Sequence, residues 1–210
     1  MGCIYICETM RVKTFEGPTP HILLEDVFTD EQLKSIWTEL EFLHPSLVDG
    51  SNTSPATNDD GVILKQNHGL FLYETYQDSV VSPICENTAM VAWKSSLRDF
   101  WSSSWTRTLY DKTNWDAIML SYYGDTDYYY PHHDEAVFTM LLWLWKEPKK
   151  FSGGNLYFPD VQHAVECKNN CGIIFMSTET HGVQPLELEE EGYGRYCISM
   201  FSGVANNPPD

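Results

Sequence analysis

The chain has 210 residues, with 13 Lys and Arg against 30 Asp and Glu, which gives a formal net charge of −17. At about 100–200 residues per domain, this length predicts one domain over residues 1–210, and a hydrophobic fraction of 42% excludes a disordered chain. No apolar run reaches the roughly 20 residues that span a bilayer, which excludes a membrane protein. The negative charge disfavours a nucleic-acid partner, because a polyanion is repelled by such a surface.

The N-terminal part of the chain predicts strands followed by a capped helix. Weak alternation of apolar residues predicts strands over 3–14 and 22–27. Thr29 then begins a helix, since its hydroxyl can accept from free backbone N–H groups and Gln32 stands at the capping-box position. Apolar residues follow at spacings of three and four until Pro45 ends the helix.

Two further segments complete the region 1–115, which we expect to support the core. Residues 45–61 are rich in Ser, Asn, Asp, Pro and Gly and predict a long loop. We interpret the wider segment 45–72 as a candidate lid over a site. A second helical pattern runs from about Glu86 to Thr108.

From Asp116 onwards the chain predicts a β-rich core over residues 116–203. Short β-rich runs recur between turn residues, at 117–123, 128–134, 137–145, 155–158, 161–166, 172–175, 180–183 and 195–201. The run of glutamates from Glu187 to Glu191 predicts a charged loop. Evenly spaced short strands indicate a sandwich or jelly roll. With helices on the outer face of one sheet, the fold class is α+β, mainly β.

The six cysteines are scattered along a chain that is long enough to fold without disulfides. Cys3 and Cys7, like Cys167 and Cys171, show a C-x3-C spacing that lacks the C-x2-C form of zinc sites. We therefore expect reduced, packed thiols. No signal-peptide pattern opens the chain, so we expect a cytoplasmic protein.

A candidate metal site lies in the β-rich core. Residues i and i+2 of a strand share a face, so His132 and Asp134 can converge while His133 points away. His181 follows a later strand pattern and can approach from a neighbouring strand. Two imidazoles and one carboxylate form the facial triad of non-haem Fe(II) sites, which leaves positions open for a cosubstrate and O2.

The last predicted strand begins with a candidate anion-binding residue. Arg195 would face the inside of an apolar sheet sandwich, where a guanidinium needs an anionic partner. Its planar fork suits a bidentate carboxylate. Tyr123 can add a hydroxyl to the same carboxylate.

The order of these motifs resembles the Fe(II)/2-oxoglutarate-dependent dioxygenases, specifically their prolyl 4-hydroxylase-like branch. The resemblance covers roughly residues 116–201, and residues 22–43 are similar to the branch's opening strand and helix. It rests on the following segments in sequence: Tyr123-Gly124, Tyr129-Tyr130-Pro131-His132-His133-Asp134, Thr139-Met140-Leu141-Leu142-Trp143-Leu144, Phe151-Ser152-Gly153-Gly154-Asn155-Leu156-Tyr157-Phe158, His181-Gly182-Val183 and Gly194-Arg195-Tyr196-Cys197-Ile198-Ser199.

The resemblance implies a double-stranded β-helix (jelly roll) with supporting N-terminal helices, Fe(II), 2-oxoglutarate and O2 as cofactors, and ascorbate as reductant. The metal ligands and catalytic residues would be His132, Asp134 and His181. Arg195 and Tyr123 would bind 2-oxoglutarate, and Thr139 would line its pocket. The carboxylate of Asp134 favours hydroxylation, since related halogenases lack it.

The substrate is the part that the residues leave open. Tyr128, Tyr130, Trp143 and Phe201, with Trp145, are candidates for lining a substrate groove. The reading we favour is hydroxylation of a prolyl or other side chain in a peptide or protein, with release of succinate and CO2. The alternative is a hydroxylase of a small metabolite or free amino acid.

Two other readings are weaker. The related nucleic-acid demethylases carry a second Arg six residues after the first, where this chain has Phe201. A non-catalytic jelly-roll module with zinc at the triad would leave Arg195 without an inner partner.

Overall fold

The computed structural model describes residues 4–5, 10–53, 55–77, 81–93 and 95–205, with side chains omitted at 4, 5 and 95. The first helix, α1, carries the predicted capping box, with Thr29 and Gln32 bonded reciprocally. None of the helices in these ranges has the length and apolar character needed to cross a membrane. The helices are α1 (Asp30–Leu43), α2 (Leu72–Thr75), α3 (Pro83–Ala92) and α4 (Ser104–Lys112).

The strands form a large sheet that faces a smaller one. They are β1 (Ile4–Tyr5), β2 (Arg11–Phe15), β3 (His21–Glu25), β4 (Val48–Asp49), β5 (Lys65–Gln66), β6 (His68–Phe71), β7 (Trp115–Tyr123), β8 (Tyr128–His132), β9 (Phe138–Trp145), β10 (Phe151–Gly153), β11 (Leu156–Phe158), β12 (His163–Val165), β13 (Cys171–Met176), β14 (His181–Val183), β15 (Leu186–Leu188) and β16 (Arg195–Gly203). The large sheet has the order β1-β2-β3-β13-β9-β16-β7-β6-β4 and the smaller one β12-β11-β14-β8-β5, while β10 pairs with β15. This antiparallel double-sheet arrangement confirms the predicted fold class.

Strand alternation divides the core into two apolar clusters. In β9 every residue is buried, because both faces of the strand are covered. Met140, Leu142 and Leu144 face a cluster that includes the helix residues Ile36 and Leu40. The intervening side chains face the other cluster, between the sheets, with members from both sheets: Leu141, Trp143, Trp145, Leu156, Phe158, Phe175 and Val183. The same period of two directs Arg195 inward and Tyr196 toward the helices.

The helical pattern predicted from Glu86 to Thr108 is wrong as a single helix. The structure divides this region into α3, a 3-10 segment at Ser95–Phe100 and α4. Ser103 marks the division, since its side chain caps α4, whereas Ser82 caps α3 ahead of Pro83 and sets where that helix begins. A serine hydroxyl that accepts from backbone N–H groups starts a new helix and interrupts a continuous one.

Two loop predictions also need correction. The segment 45–61 contains β4, a 3-10 turn at Gly50–Asn52 and a bridge from Thr57 to Ile63, so it is more ordered than a plain loop. The glutamate run begins inside β15, where Glu187 pairs with Ser152. A Leu-Glu-Leu alternation is itself a strand signal. The cysteines at 85, 167, 171 and 197 are free thiols, and Cys3 and Cys7 lie outside the described residues.

Candidate functional site

The three predicted metal ligands meet between the sheets. His132 ends β8 and lies directly opposite His181, the first residue of β14. Nε2 of His132 is 3.5 Å from Oδ1 of Asp134, and Nε2 of His181 is 3.4 Å from Oδ2. One ligand atom from each residue can be chosen so that all lie within 4.8 Å of one another.

The backbone orients both imidazoles for metal binding. Nδ1 of His132 lies 2.9 Å from the carbonyl oxygen of Tyr130, and Nδ1 of His181 lies 2.9 Å from that of Glu179. A ring whose Nδ1–H donates to a carbonyl presents an unprotonated Nε2, which is the form that binds metal. Burial, together with repulsion from the other histidine, also lowers the pKa of His132 despite the favourable contact with Asp134, which keeps this ring neutral.

Asp134 reaches the site by a route that the sequence did not predict. The strand β8 ends at His132, so the two residues do not share a strand face. The backbone N–H of Asp134 instead donates to the carbonyl oxygen of Ser177 at 3.1 Å. Burial opposes ionisation of this carboxyl group, but the two neighbouring histidines outweigh it and lower its pKa. Two imidazoles and a carboxylate fit Fe(II).

Thr139, which we expect to line the cosubstrate pocket, lies behind the predicted metal ligands. Its side chain is fully buried, and its hydroxyl donates to Oδ2 of Asp134 at 2.6 Å. The hydroxyl of Ser177 lies 2.9 Å from that of Thr139. Thr139 therefore orients a ligand of the metal, and it does not line the pocket that Arg195 faces.

Among the described residues, one nitrogen of the Arg195 guanidinium has hydrogen-bond partners and the other two have none. Its Nη1 donates to the carbonyl oxygen of Gly154 and lies 2.9 Å from Sγ of Cys167. Burial raises the pKa of Cys167, so the thiol stays neutral. Nε and Nη2 of Arg195 are buried and have no hydrogen-bond partner among the described residues. Two unpaired donors on one edge of a guanidinium fit a carboxylate in a bidentate arrangement.

Tyr123 lies directly across from Arg195 in the paired strands β7 and β16. The guanidinium carbon lies 4.8 Å from the centre of the Tyr123 ring, a cation–π arrangement. Burial raises the pKa of Tyr123 well above its usual value, so the hydroxyl keeps its proton and can donate. The ring thus supports the cation, and the hydroxyl remains available as a second donor.

Two spaces border the predicted metal ligands. The inner pocket lies between the sheets and is lined by apolar side chains together with Tyr123, the three ligands and Arg195. The outer cleft, of about 1000 Å³, is bounded by the 55–59 and 131–135 segments and by aromatic side chains. Phe201, His132 and Asp134 border both spaces. The cleft wall from 55–59 belongs to the candidate lid.

The candidate substrate residues divide between these spaces. Tyr130 is half exposed and lines the outer cleft, while the Tyr128 ring packs against it at a tilt of 39°, with ring centres 4.3 Å apart. Trp143 is only 2% exposed and lines the inner pocket, and it is not among the described residues that line the outer cleft. Trp145 is buried in the same cluster. Both tryptophans lie on the inward face of β9, which the smaller sheet covers.

Sequence reasoning missed Tyr129, which borders both spaces. Its ring stacks on His132 with centres 3.5 Å apart. Its hydroxyl accepts a hydrogen bond from the backbone N–H of Ala56, at 3.0 Å, and Nζ of Lys65 lies 5.5 Å from its ring centre. The Tyr-Tyr-Tyr run concealed this role, because adjacent strand residues point to opposite faces and no pattern indicates which ring meets a ligand.

Residues 118–203 match the model of the 2OG-Fe(II) oxygenase superfamily. This range includes the three candidate metal ligands, Tyr123, Thr139 and Arg195. No curated protein sequence matches the chain.

Solved structures with a similar fold include three prolyl hydroxylases. A Pseudomonas putida prolyl-4-hydroxylase matches with a TM-score of 0.58 and 14% identity, over 90% of this chain and 95% of that one. A Trichoplax adhaerens prolyl hydroxylase in complex with a hypoxia-inducible-factor peptide matches at 0.61 and 15%, over 87% and 83%. A viral collagen prolyl hydroxylase from Paramecium Bursaria Chlorella virus-1 matches at 0.54 and 12%, over 89% and 90%.

Proposed function

We propose that this chain is a 2OG-Fe(II) oxygenase that hydroxylates a C–H bond in a peptide or protein, at a prolyl or other side chain. The match of residues 118–203 to that superfamily and the prolyl 4-hydroxylase-like fold support the proposal. The observation that carries the proposal is the outer cleft of about 1000 Å³, which opens on His132 and Asp134. A hydroxylase of a small metabolite would need a small closed pocket around its substrate. A cleft this open suits a polymer segment.

In this proposal the chain separates cosubstrate from substrate. His132, Asp134 and His181 would hold Fe(II), since two imidazoles and a carboxylate suit that metal. Arg195 would bind the distal carboxylate of 2-oxoglutarate through hydrogen bonds from Nε and Nη2. The Tyr123 hydroxyl would donate a further hydrogen bond to the same carboxylate. The substrate occupies the outer cleft, where its C–H bond lies next to the ligands.

The bound metal and cosubstrate supply the oxidising chemistry, in which O2 and 2-oxoglutarate give succinate, CO2 and one oxygen atom for the substrate C–H bond. The protein's task is orientation and exclusion of water. The apolar side chains of Leu141, Trp143 and Leu156 line the inner pocket and keep it dry around the Arg195 guanidinium. The ring of Tyr129 restrains His132 from the cleft side. Ascorbate serves as an external reductant.

The test is substrate-dependent formation of succinate. Purified protein receives Fe(II), 2-oxoglutarate and ascorbate, with a panel of proline-rich peptides and free amino acids, and products are analysed by mass spectrometry. We expect a peptide that gains one oxygen atom in step with succinate formation. Asp134→Ala should abolish both signals, and Asp160→Ala, an exposed carboxylate outside the cleft, should leave them intact. Turnover with a free amino acid and with no peptide would contradict the proposal.

A further inference from the structure

The outer cleft combines negative charge with aromatic surface. Its lining includes the carboxylates of Asp59, Asp134 and Glu135, and none of the described residues that line it is Lys or Arg. Asp134 faces the metal site, which leaves Asp59 and Glu135 for the cleft itself. Both are exposed, and neither forms a salt bridge with another described residue. They are therefore available to a cation from outside the chain.

The two carboxylates occupy different parts of the cleft wall. Glu135 follows the metal ligand Asp134 directly, so it stands next to the reacting centre. Asp59 belongs to the turn at 58–62 in the candidate lid, which is closed by hydrogen bonds between Asn58 and Val62. A substrate segment in the cleft would meet one carboxylate near the reacting residue and the other on the lid.

Aromatic rings add a second contribution that favours a cation. Tyr130 is 50% exposed and Tyr73 is 63% exposed, and both line the cleft. The Tyr73 ring stacks on Phe71 with centres 5.1 Å apart, which leaves its other face open. Aromatic faces attract Lys and Arg side chains through their ring quadrupole. These rings also suit the aliphatic stems of such side chains.

We propose that the polypeptide segment hydroxylated by this enzyme carries a Lys or Arg close to the reacting residue, bound by Glu135 and Asp59 and by the rings of Tyr73 and Tyr130. This inference rests on the proposed function, because it takes the cleft occupant to be a polypeptide. Charge complementarity carries it: the cleft wall has unpaired carboxylates, and an acidic or phosphorylated segment would be repelled by them. The net charge of −17 acts in the same direction at longer range.

The experiment uses a degenerate peptide library with proline or a random residue at the centre and random residues on both sides. After reaction with the Fe(II)-loaded enzyme and 2-oxoglutarate, hydroxylated peptides are sequenced by mass spectrometry. We expect Lys and Arg to be enriched within a few residues of the modified position. For individual peptides, replacing that Lys by Gln should lower kcat/KM by about fivefold, the upper range for an exposed ion pair.

Charge-reversal variants test whether the preference for Lys and Arg comes from the carboxylates of the outer cleft. Glu135→Lys and Asp59→Lys should each remove the preference for Lys and Arg and raise kcat/KM for the matched Glu peptide. Asp160→Lys makes the same change in net charge outside the cleft and should leave the preference in place. Because Glu135 adjoins a metal ligand, Asp59→Lys keeps the test independent of metal binding.

The outcomes separate this proposal from the proposed function. Hydroxylated peptides without enrichment of Lys or Arg would overturn this proposal and leave the proposed function standing. An equal loss of preference in Asp160→Lys would overturn it as well, because net charge would then set the preference. Absence of any hydroxylated peptide, with turnover of free amino acids, would overturn both.

Discussion

The hydroxyl of Thr139 donates a 2.6 Å hydrogen bond to Oδ2 of Asp134, the oxygen that lies 3.4 Å from Nε2 of His181. A buried threonine on the large sheet therefore fixes the orientation of a carboxylate that faces the smaller one. Ser177 supports both partners, since its carbonyl accepts from the Asp134 N–H and its hydroxyl contacts Thr139. The candidate metal centre thus depends on contacts behind its three predicted ligands.

Replacement of Thr139 should weaken metal binding while the ligands remain. Thr139→Val keeps the shape of the side chain and removes the donor, and losses of this kind typically cost about 10- to 100-fold in metal affinity. Calorimetric titration with Mn(II) or anaerobic Fe(II) measures the effect. Thr139→Ser keeps the hydroxyl and should retain most of the affinity. Wild-type affinity in Thr139→Val would show that the hydrogen bond is dispensable.

Loss of the Arg195 side chain should act mainly on 2-oxoglutarate. A charge-assisted contact worth roughly 1.5–3 kcal/mol corresponds to about a 10- to 150-fold weaker binding constant. We expect Arg195→Ala to raise the KM for 2-oxoglutarate by this factor, and direct calorimetry should show the same loss. Arg98→Ala removes an exposed arginine outside the pocket and serves as control. Equal 2-oxoglutarate affinity in both variants would remove Arg195 from the pocket assignment.

Lys65 should make the free energy of unfolding depend on pH in the alkaline range. Burial lowers its pKa from 10.5 to about 8, against the opposing pull of Asp134 and Asp49. Between these values the unfolded chain holds a proton that the folded chain has released, so stability rises with pH across this window. Across this window, the free energy of unfolding of the wild type should increase by about 3 kcal/mol relative to that of Lys65→Met.

The measurement is urea unfolding at several pH values. Wild type should gain stability relative to Lys65→Met between pH 8 and 10.5, and the difference should be flat below pH 8. Nζ of Lys65 also donates to the carbonyl oxygen of Thr53 at 3.0 Å, which contributes a pH-independent offset below the window. Parallel stability curves for the two proteins across the whole range would contradict the lowered pKa.

Glu39 should prove important for packing of the helices. Its side chain is buried, with Oε1 accepting from the Ser82 hydroxyl at 2.6 Å and Oε2 from the Ile84 N–H at 2.7 Å. It joins α1 to the first turn of α3, where a negative charge is favourable. Glu39→Gln should lower the free energy of unfolding by about 1.5–3 kcal/mol. Glu41→Gln, on the exposed face of α1, should change it by less than about 0.5 kcal/mol, and equal effects would contradict this role.

The sequence predicted most of the strands and the first helix because their signals are local. Alternation located β7, β9 and β16 to within two residues, and Thr29 with Gln32 marked the start of α1. Spacing and family resemblance were enough to select His132, Asp134, His181 and Arg195, which the fold brings to one pocket.

The remaining contacts depend on which strands lie opposite each other. Thr139 reaches Asp134 because β9 lies behind the ligands, and Cys167 reaches Arg195 across 28 positions of sequence. The residue type of Trp143 favours a groove, but it does not indicate that both faces of β9 are covered. No local pattern indicates these cross-sheet partners, and serines that interrupt a helix resemble serines on its surface.

The two donors of Arg195 that lack a partner among the described residues, Nε and Nη2, also affect the stability of the protein. A buried cation with two donors unpaired destabilises the folded chain. A ligand that accepts hydrogen bonds from these donors raises the free energy of unfolding, and the increase grows with the logarithm of the ligand concentration. In the proposed function, 2-oxoglutarate is that ligand, and its distal carboxylate would pair with these two donors. The melting temperature and the resistance to proteolysis should therefore increase with the concentration of 2-oxoglutarate. The lifetime of the folded protein would then depend on how much cosubstrate is present.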